Sequence, residues 1–155
     1  RRFFQKNGFC VISQSKSGKD IHYQTDISNP PQLKAPDILC YKDSTIIVGE
    51  QKIEYNKLFT GSNDVQKLES FLTNQQAKTD FLSEMREFFP QSTTPTICVG
   101  FSSLIDGNST KTLPTTAIQT GIEIDPNDDT KCTITLVQDG GLPDLFPHKS
   151  LDMEI

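Results

Sequence analysis

Two β-forming segments stand only three residues apart, and that closeness constrains the fold more than any other feature of the chain. Residues 37–41 (Asp-Ile-Leu-Cys-Tyr) and 45–53 (Thr-Ile-Ile-Val-Gly-Glu-Gln-Lys-Ile) are rich in strand-forming side chains, and Lys42-Asp43-Ser44 between them suits a tight turn. They are expected to be antiparallel neighbours, which sets the start of the first beside the end of the second. Positions two apart on a strand share a face, so Ile46 and Val48 run on into Glu50 and Lys52. A face that is apolar for two positions and then offers a carboxylate and an ammonium carries a desolvation cost unless partners offset it. Asp37, opening the partner strand, comes within reach of that end.

The surrounding pattern is that of one α/β domain, in the order helix, three strands, helix, strand and then an added hairpin. Arg1 to Asn7, holding Phe3 and Phe4, reads as the end of a helix closed by Gly8, and residues 9–12 read as a strand. Residues 13–35 are polar, with Gly18 and Pro30-Pro31, and read as an excursion rather than core; Ile21-His22-Tyr23 is a short strand candidate within it. From Ser62 or Asn63 as N-cap, Val65, Leu68, Phe71 and Leu72 recur at helical spacing, then Phe81, Leu82, Met85, Phe88 and Phe89 up to Pro90. The polar stretch between those stripes is compatible with one helix or two. Residues 95–102 read as a further strand. Residues 116–125 and 131–138 read as an added hairpin turning at 126–129, and the tail from Asp139, with Gly140-Gly141 and two prolines, as irregular. The core is placed at about residues 1–102. The 155 residues fit one domain, and the absence of a starting methionine suggests a piece of a longer chain.

Asp37, Glu50 and Lys52 are expected to converge at a sheet edge. Hard carboxylate oxygens suit Mg²⁺ or Mn²⁺, which keep several waters while taking one or two carboxylates and substrate phosphate oxygens. The main-chain carbonyl of Gln51 is a further candidate ligand. Lys52 is placed to orient or deprotonate an attacking water, or to pair with a phosphate.

Pro36-Asp37 followed by Glu50-Gln51-Lys52, on paired strands and ahead of a helix, resembles the PD-(D/E)XK nuclease superfamily, which includes many type II restriction enzymes, RecB-like exonucleases and Holliday junction resolvases. The resemblance implies a restriction endonuclease-like core, a central mixed β-sheet flanked by helices, with Asp37 and Glu50 binding metal and Lys52 as the catalytic lysine. It implies Mg²⁺ or Mn²⁺ as cofactor and a phosphodiester in DNA as substrate, with RNA also open. Two departures stand out. Many members carry another acid on the first helix, where Arg1 to Asn7 has none. RecB-like members carry a QxxxY helix, whereas Gln66 here is followed by Ser70 at the fifth position, which leaves Gln66 alone as a neighbour of the metal-bound groups or a phosphate contact. The other function class is a nuclease-like module that does not cut and docks a protein, or other subunits of a complex, through its acidic C-terminal hairpin.

A net charge of -5 counts against simple nucleic-acid binding until it is divided along the chain. Residues 1–57 hold nine Lys/Arg and six Asp/Glu, whereas residues 101–155 hold three and nine. Basic character thus surrounds the motif, with Lys16, Lys19, Lys34, Lys42 and Lys57 as candidate phosphate contacts. No apolar run approaches membrane-span length and no signal segment opens the chain. Cys10, Cys40, Cys98 and Cys132 are far apart, with no CxxC pair, and read as thiols of a cytoplasmic protein rather than a zinc cluster. His22 and His148 read as plain surface histidines, and Asp125, Asp128 and Asp129 as a solvated turn.

Overall fold

The computed structural model describes residues 1–26, 30–90 and 92–155; residues 27–29 of the excursion and residue 91 lie outside the described residues. Helix α1 (Arg2–Lys6) buries Phe3 and Phe4 and ends at Gly8, whose φ of 85° is the left-handed conformation that a glycine cap supplies. Strand β1 (Cys10–Val11) is shorter than the expected 9–12. The excursion then forms a hairpin of its own from β2 (Tyr23–Gln24) and β3 (Leu33–Lys34), with Tyr23 opposite Lys34. Strand β4 (Ile38–Lys42) pairs antiparallel with β5 (Thr45–Gln51), as expected, and Asp43 takes the positive φ of the tight turn.

Two helices follow rather than one. Helix α2 (Asp64–Thr73) and helix α3 (Gln75–Met85) are divided at Asn74, whose backbone is extended and whose side chain accepts from the Ala77 amide at 3.1 Å. One asparagine therefore ends the first helix and caps the second. Strand β6 (Thr96–Leu104) runs parallel to β5, and β7 (Ile118–Asp125) parallel to β6. Strand β8 (Asp128–Asp139) returns from β7 through a turn tighter than expected, with Asp125 opposite Asp128. The tail is not irregular throughout: β9 (Ser150–Glu154) pairs with β8 and closes the sheet order β1-β4-β5-β6-β7-β8-β9. The C-terminal hairpin thus continues one mixed sheet instead of being appended to it.

The two faces of this sheet carry separate cores. Ile46 and Val48 meet α2 and α3 on one face, where Leu68, Phe71 and Phe81 are fully buried. Ile47 meets Phe3, Phe4, Phe9 and Phe146 on the other. Burying a ring such as Phe71 contributes about 1.5–3 kcal/mol, and its edge-on contact with Phe81 at 5.4 Å adds to that. The excursion, expected outside the core, contributes Ile21 and Tyr23 to the helix-side core. Its backbone is fastened to α3 and the turn after it: Glu84 accepts from the His22 amide at 3.3 Å, and Glu87 from the Lys16 amide at 2.8 Å.

Lys42 is a correction to the phosphate-contact candidates. Its ammonium donates to the Asn7 carbonyl at 2.7 Å and the Leu145 carbonyl at 3.1 Å, tying α1 to the tail. All four cysteines are free thiols, with Cys10 exposed. Among the described residues, no helix is long and apolar enough to cross a membrane.

Candidate active site

Strand β5 delivers Glu50 to the helix side of the sheet, in line with Ile46 and Val48. The site lies at the carboxyl end of a central strand, not at the expected sheet edge, because β6 pairs with β5 as far as Gln51 opposite Ser102. Ile38 stands opposite Gly49, so the next pair along places Asp37 across from Glu50. Asp37 Oδ2 accepts from the Gln51 amide at 3.0 Å, which anchors this exposed carboxylate to β5. The two carboxylates expected to converge are thus brought to opposite positions at the end of β5, near enough for the Asp37 carboxyl to raise the Glu50 pKa.

Glu50 is 0 % exposed. The Tyr23 hydroxyl donates to its Oε1 at 2.7 Å. Lys34 Nζ lies 3.0 Å from its Oε2, off the axis needed for a hydrogen bond, so that contact is ionic only. Burial, followed by the adjoining Asp37 carboxyl, pushes the Glu50 pKa from 4.5 up to about 7 against the opposing pull of Tyr23 and Lys34. Burial and the charge of Glu50 hold the Tyr23 phenol far above its ordinary value, which keeps it a donor. Burial draws the Lys34 ammonium down, but Glu50 and Asp64 outweigh it and leave its pKa above the usual lysine range.

Asp64 is the member that sequence reasoning missed. It opens α2, is 0 % exposed, and its Oδ1 accepts from Lys34 Nζ at 3.2 Å and more loosely from the Ser62 hydroxyl at 3.4 Å. Its Oδ2 has no hydrogen bond and lies 3.6 Å from Lys52 Nζ. A signal for it existed: Asp64, Leu68 and Phe71 stand at i, i+4 and i+7, so this acid lies on the buried stripe. Lys52, the expected catalytic lysine, is at the mouth with its side chain 37 % exposed, and its amide donates to the Ser102 carbonyl at 3.0 Å. Lys34, expected to contact phosphate, instead bridges two carboxylates.

Gln66 is not brought to the site. Two residues on from Asp64 it faces the other way around the helix, exposed, and its Oε1 accepts from the Asn63 side chain at 3.3 Å. Asn63 Oδ1 accepts in turn from the Gln66 amide at 3.1 Å, so the pair serves as a helix cap.

The donor set fits a small, hard divalent cation. Glu50 Oε2 and Asp64 Oδ2 are buried carboxylate oxygens without hydrogen-bond donors, and such oxygens are costly to bury unless a cation compensates them. Among the described residues, no group of three or more His, Cys, Asp or Glu side chains is gathered as a metal cluster; a lysine, not a third acid, completes the Glu50–Asp64 pair. No known protein family matches the chain, and neither a curated protein nor a solved structure matches it, so its site stands on its own geometry.

Proposed function

We propose that this chain is a divalent-metal-dependent hydrolase of the PD-(D/E)XK kind that cleaves phosphodiester bonds in DNA. The observation that carries this is the meeting of Asp37 and Glu50 at the end of β5 with Lys52 at the mouth. The strand order around them supports the restriction endonuclease-like core that the resemblance implies. A helix precedes β1, the run β1-β4-β5 is antiparallel, and α2 and α3 cross over to bring β6 parallel to β5.

A Mg²⁺ or Mn²⁺ ion held there would supply Lewis acidity and a water of lowered pKa. Asp37 and Glu50 offer it oxygens, with the Gln51 carbonyl a third candidate. The Gln51 amide fixes Asp37, and the Tyr23 hydroxyl fixes Glu50. Lys52, partly exposed and only loosely paired with Asp64 at 3.6 Å, pairs with a non-bridging phosphate oxygen and orients the attacking water. The water oxygen would bond to phosphorus as one P–O ester bond breaks; the proton that the water gives up passes to solvent, and the leaving oxygen takes one up from solvent.

The test is cleavage of DNA in Mg²⁺ or Mn²⁺ by the wild type and by Lys52→Ala and Asp37→Ala, each checked for folding by circular dichroism. Both variants are expected to lose at least about 100-fold in rate, the scale set by removing a group that stabilises the transition state. Cleavage that survives both substitutions ends the assignment. RNA of the same sequence, assayed in parallel, decides between the two nucleic acids.

One observation favours the second function class, a module that binds without cutting. Lys34 already pairs with both buried carboxylates from within the chain. In that case association with DNA or protein is independent of metal, is unaffected by Lys52→Ala, and is lost when residues 117–138 are changed.

A further inference from the structure

Glu50 and Asp64 come from different elements, β5 and α2, yet both are fully buried and both turn an oxygen toward one lysine. Lys34 Nζ lies 3.0 Å from Glu50 Oε2 and 3.2 Å from Asp64 Oδ1. The remaining oxygen of Glu50 is occupied by Tyr23, which directs Oε2 toward that shared cation. Neither Glu50 Oε2 nor Asp64 Oδ2 receives a hydrogen bond. The two buried acids, Glu50 and Asp64, share one close ammonium, that of Lys34, with Lys52 3.6 Å from Asp64 Oδ2.

We propose that Glu50 and Asp64 together bind a divalent cation, whose place the Lys34 ammonium holds until the ion displaces it. A divalent ion in place of Lys34 carries a charge that matches two carboxylates, where the lysine carries one. Mg²⁺ and Mn²⁺ are the class favoured, being hard cations that accept two carboxylates and complete their shell with water. Ligand distances of about 2.0–2.1 Å for Mg²⁺ require each carboxylate to close in by roughly 1 Å from its contact with the lysine. Lys34 is 30 % exposed and stands on a two-residue strand, so its side chain has a path into solvent. This deepens the hydrolase reading by naming Asp64 as a ligand and Lys34 as the competing cation, and it rests on that reading only for its link to cleavage.

The test is Mn²⁺ binding to the full chain, followed by electron paramagnetic resonance and by calorimetry, for the wild type, Asp64→Asn, Lys34→Met and Lys34→Arg. Asp64→Asn is expected to weaken binding by about tenfold or more, as loss of a metal-site group does. Lys34→Met is expected to tighten binding several-fold by removing the competitor, whereas Lys34→Arg, which keeps a cation there, is not. Asp64→Asn binding Mn²⁺ as tightly as the wild type overturns the proposal, as does Lys34→Met binding no more tightly. If Asp64→Asn does not fold, the contrast between Lys34→Met and Lys34→Arg decides. Cleavage assayed in parallel keeps the two ideas apart. Asp64-dependent binding without cleavage retains the cation site and removes the hydrolase; cleavage with Asp64-independent binding does the reverse.

Discussion

The Tyr23 hydroxyl donates to Glu50 Oε1 at 2.7 Å across 27 residues of chain, and neither side chain is more than 1 % exposed. A buried carboxylate oxygen that loses its donor is left to bear its desolvation penalty. Tyr23→Phe, which preserves the ring contact with Phe71, is therefore expected to cost about 1–3 kcal/mol in urea unfolding at neutral pH. An unchanged midpoint would mean that the phenol contributes nothing to holding Glu50.

Glu50 also makes stability depend on pH. Its folded pKa of about 7 lies above the ordinary value of 4.5, so across that interval the native state holds a proton that the unfolded state has released. Stability from this group consequently falls as pH rises from about 4.5 through 7, by up to about 3 kcal/mol, and is level above that. Glu50→Gln cannot ionise and is expected to flatten that part of the stability–pH profile. Parallel profiles for the two proteins between pH 5 and 7 would contradict the raised pKa.

Gly49 and Gly100 are opposite one another on β5 and β6, and a Cβ on Gly49 would run into the Gly100 carbonyl. Gly49→Ala is expected to destabilise by about 1–3 kcal/mol through overpacking, and to weaken divalent-ion binding because Glu50 is the next residue. Gly107, which has open space around its Cβ position, is the control: Gly107→Ala should stay within about 0.5 kcal/mol of the wild type. Equal effects at the two glycines would rule out the close approach as the cause.

Lys42 belongs to the other end of the hairpin. Lys42→Met leaves the Asn7 and Leu145 carbonyls without their charged donor and is expected to cost about 1–3 kcal/mol. Any binding of DNA should keep its salt dependence, since no phosphate contact is lost. A slope reduced by about one unit would restore Lys42 to the phosphate contacts.

The part of the site that was legible in the sequence is the part set by local pairing. The turn at Asp43 fixes the register of β4 on β5, and that register alone brings Asp37 to Glu50. Helical spacing likewise gave the buried faces of α2 and α3. Asp64 was harder to see because an acid in a helix's first turn ordinarily faces solvent and favours the helix dipole. Its burial depends on the excursion folding over it, a non-local event. Residues 21–23 are legible as a short strand, but the polar composition of residues 13–35 gives no sign that Ile21 and Tyr23 join the core. Strand β9 was hidden for a similar reason, since only Leu151 and Met153 alternate among charged neighbours and β8 supplies the rest.

The aromatic cluster under α1 has a consequence for how the chain is made. Phe3 stacks on Phe146, the His148 amide donates to Asn7 Oδ1 across 141 residues, and Lys6 reaches the Ser150 carbonyl across 144. Closing a loop of that length costs roughly 4 kcal/mol of chain entropy before any contact forms. The carboxylate site, by contrast, is assembled from residues 23 to 64. During vectorial synthesis the face bearing the site can therefore organise first, while Phe3, Phe4 and Phe9 lack their partner Phe146 until the chain has been made past that residue.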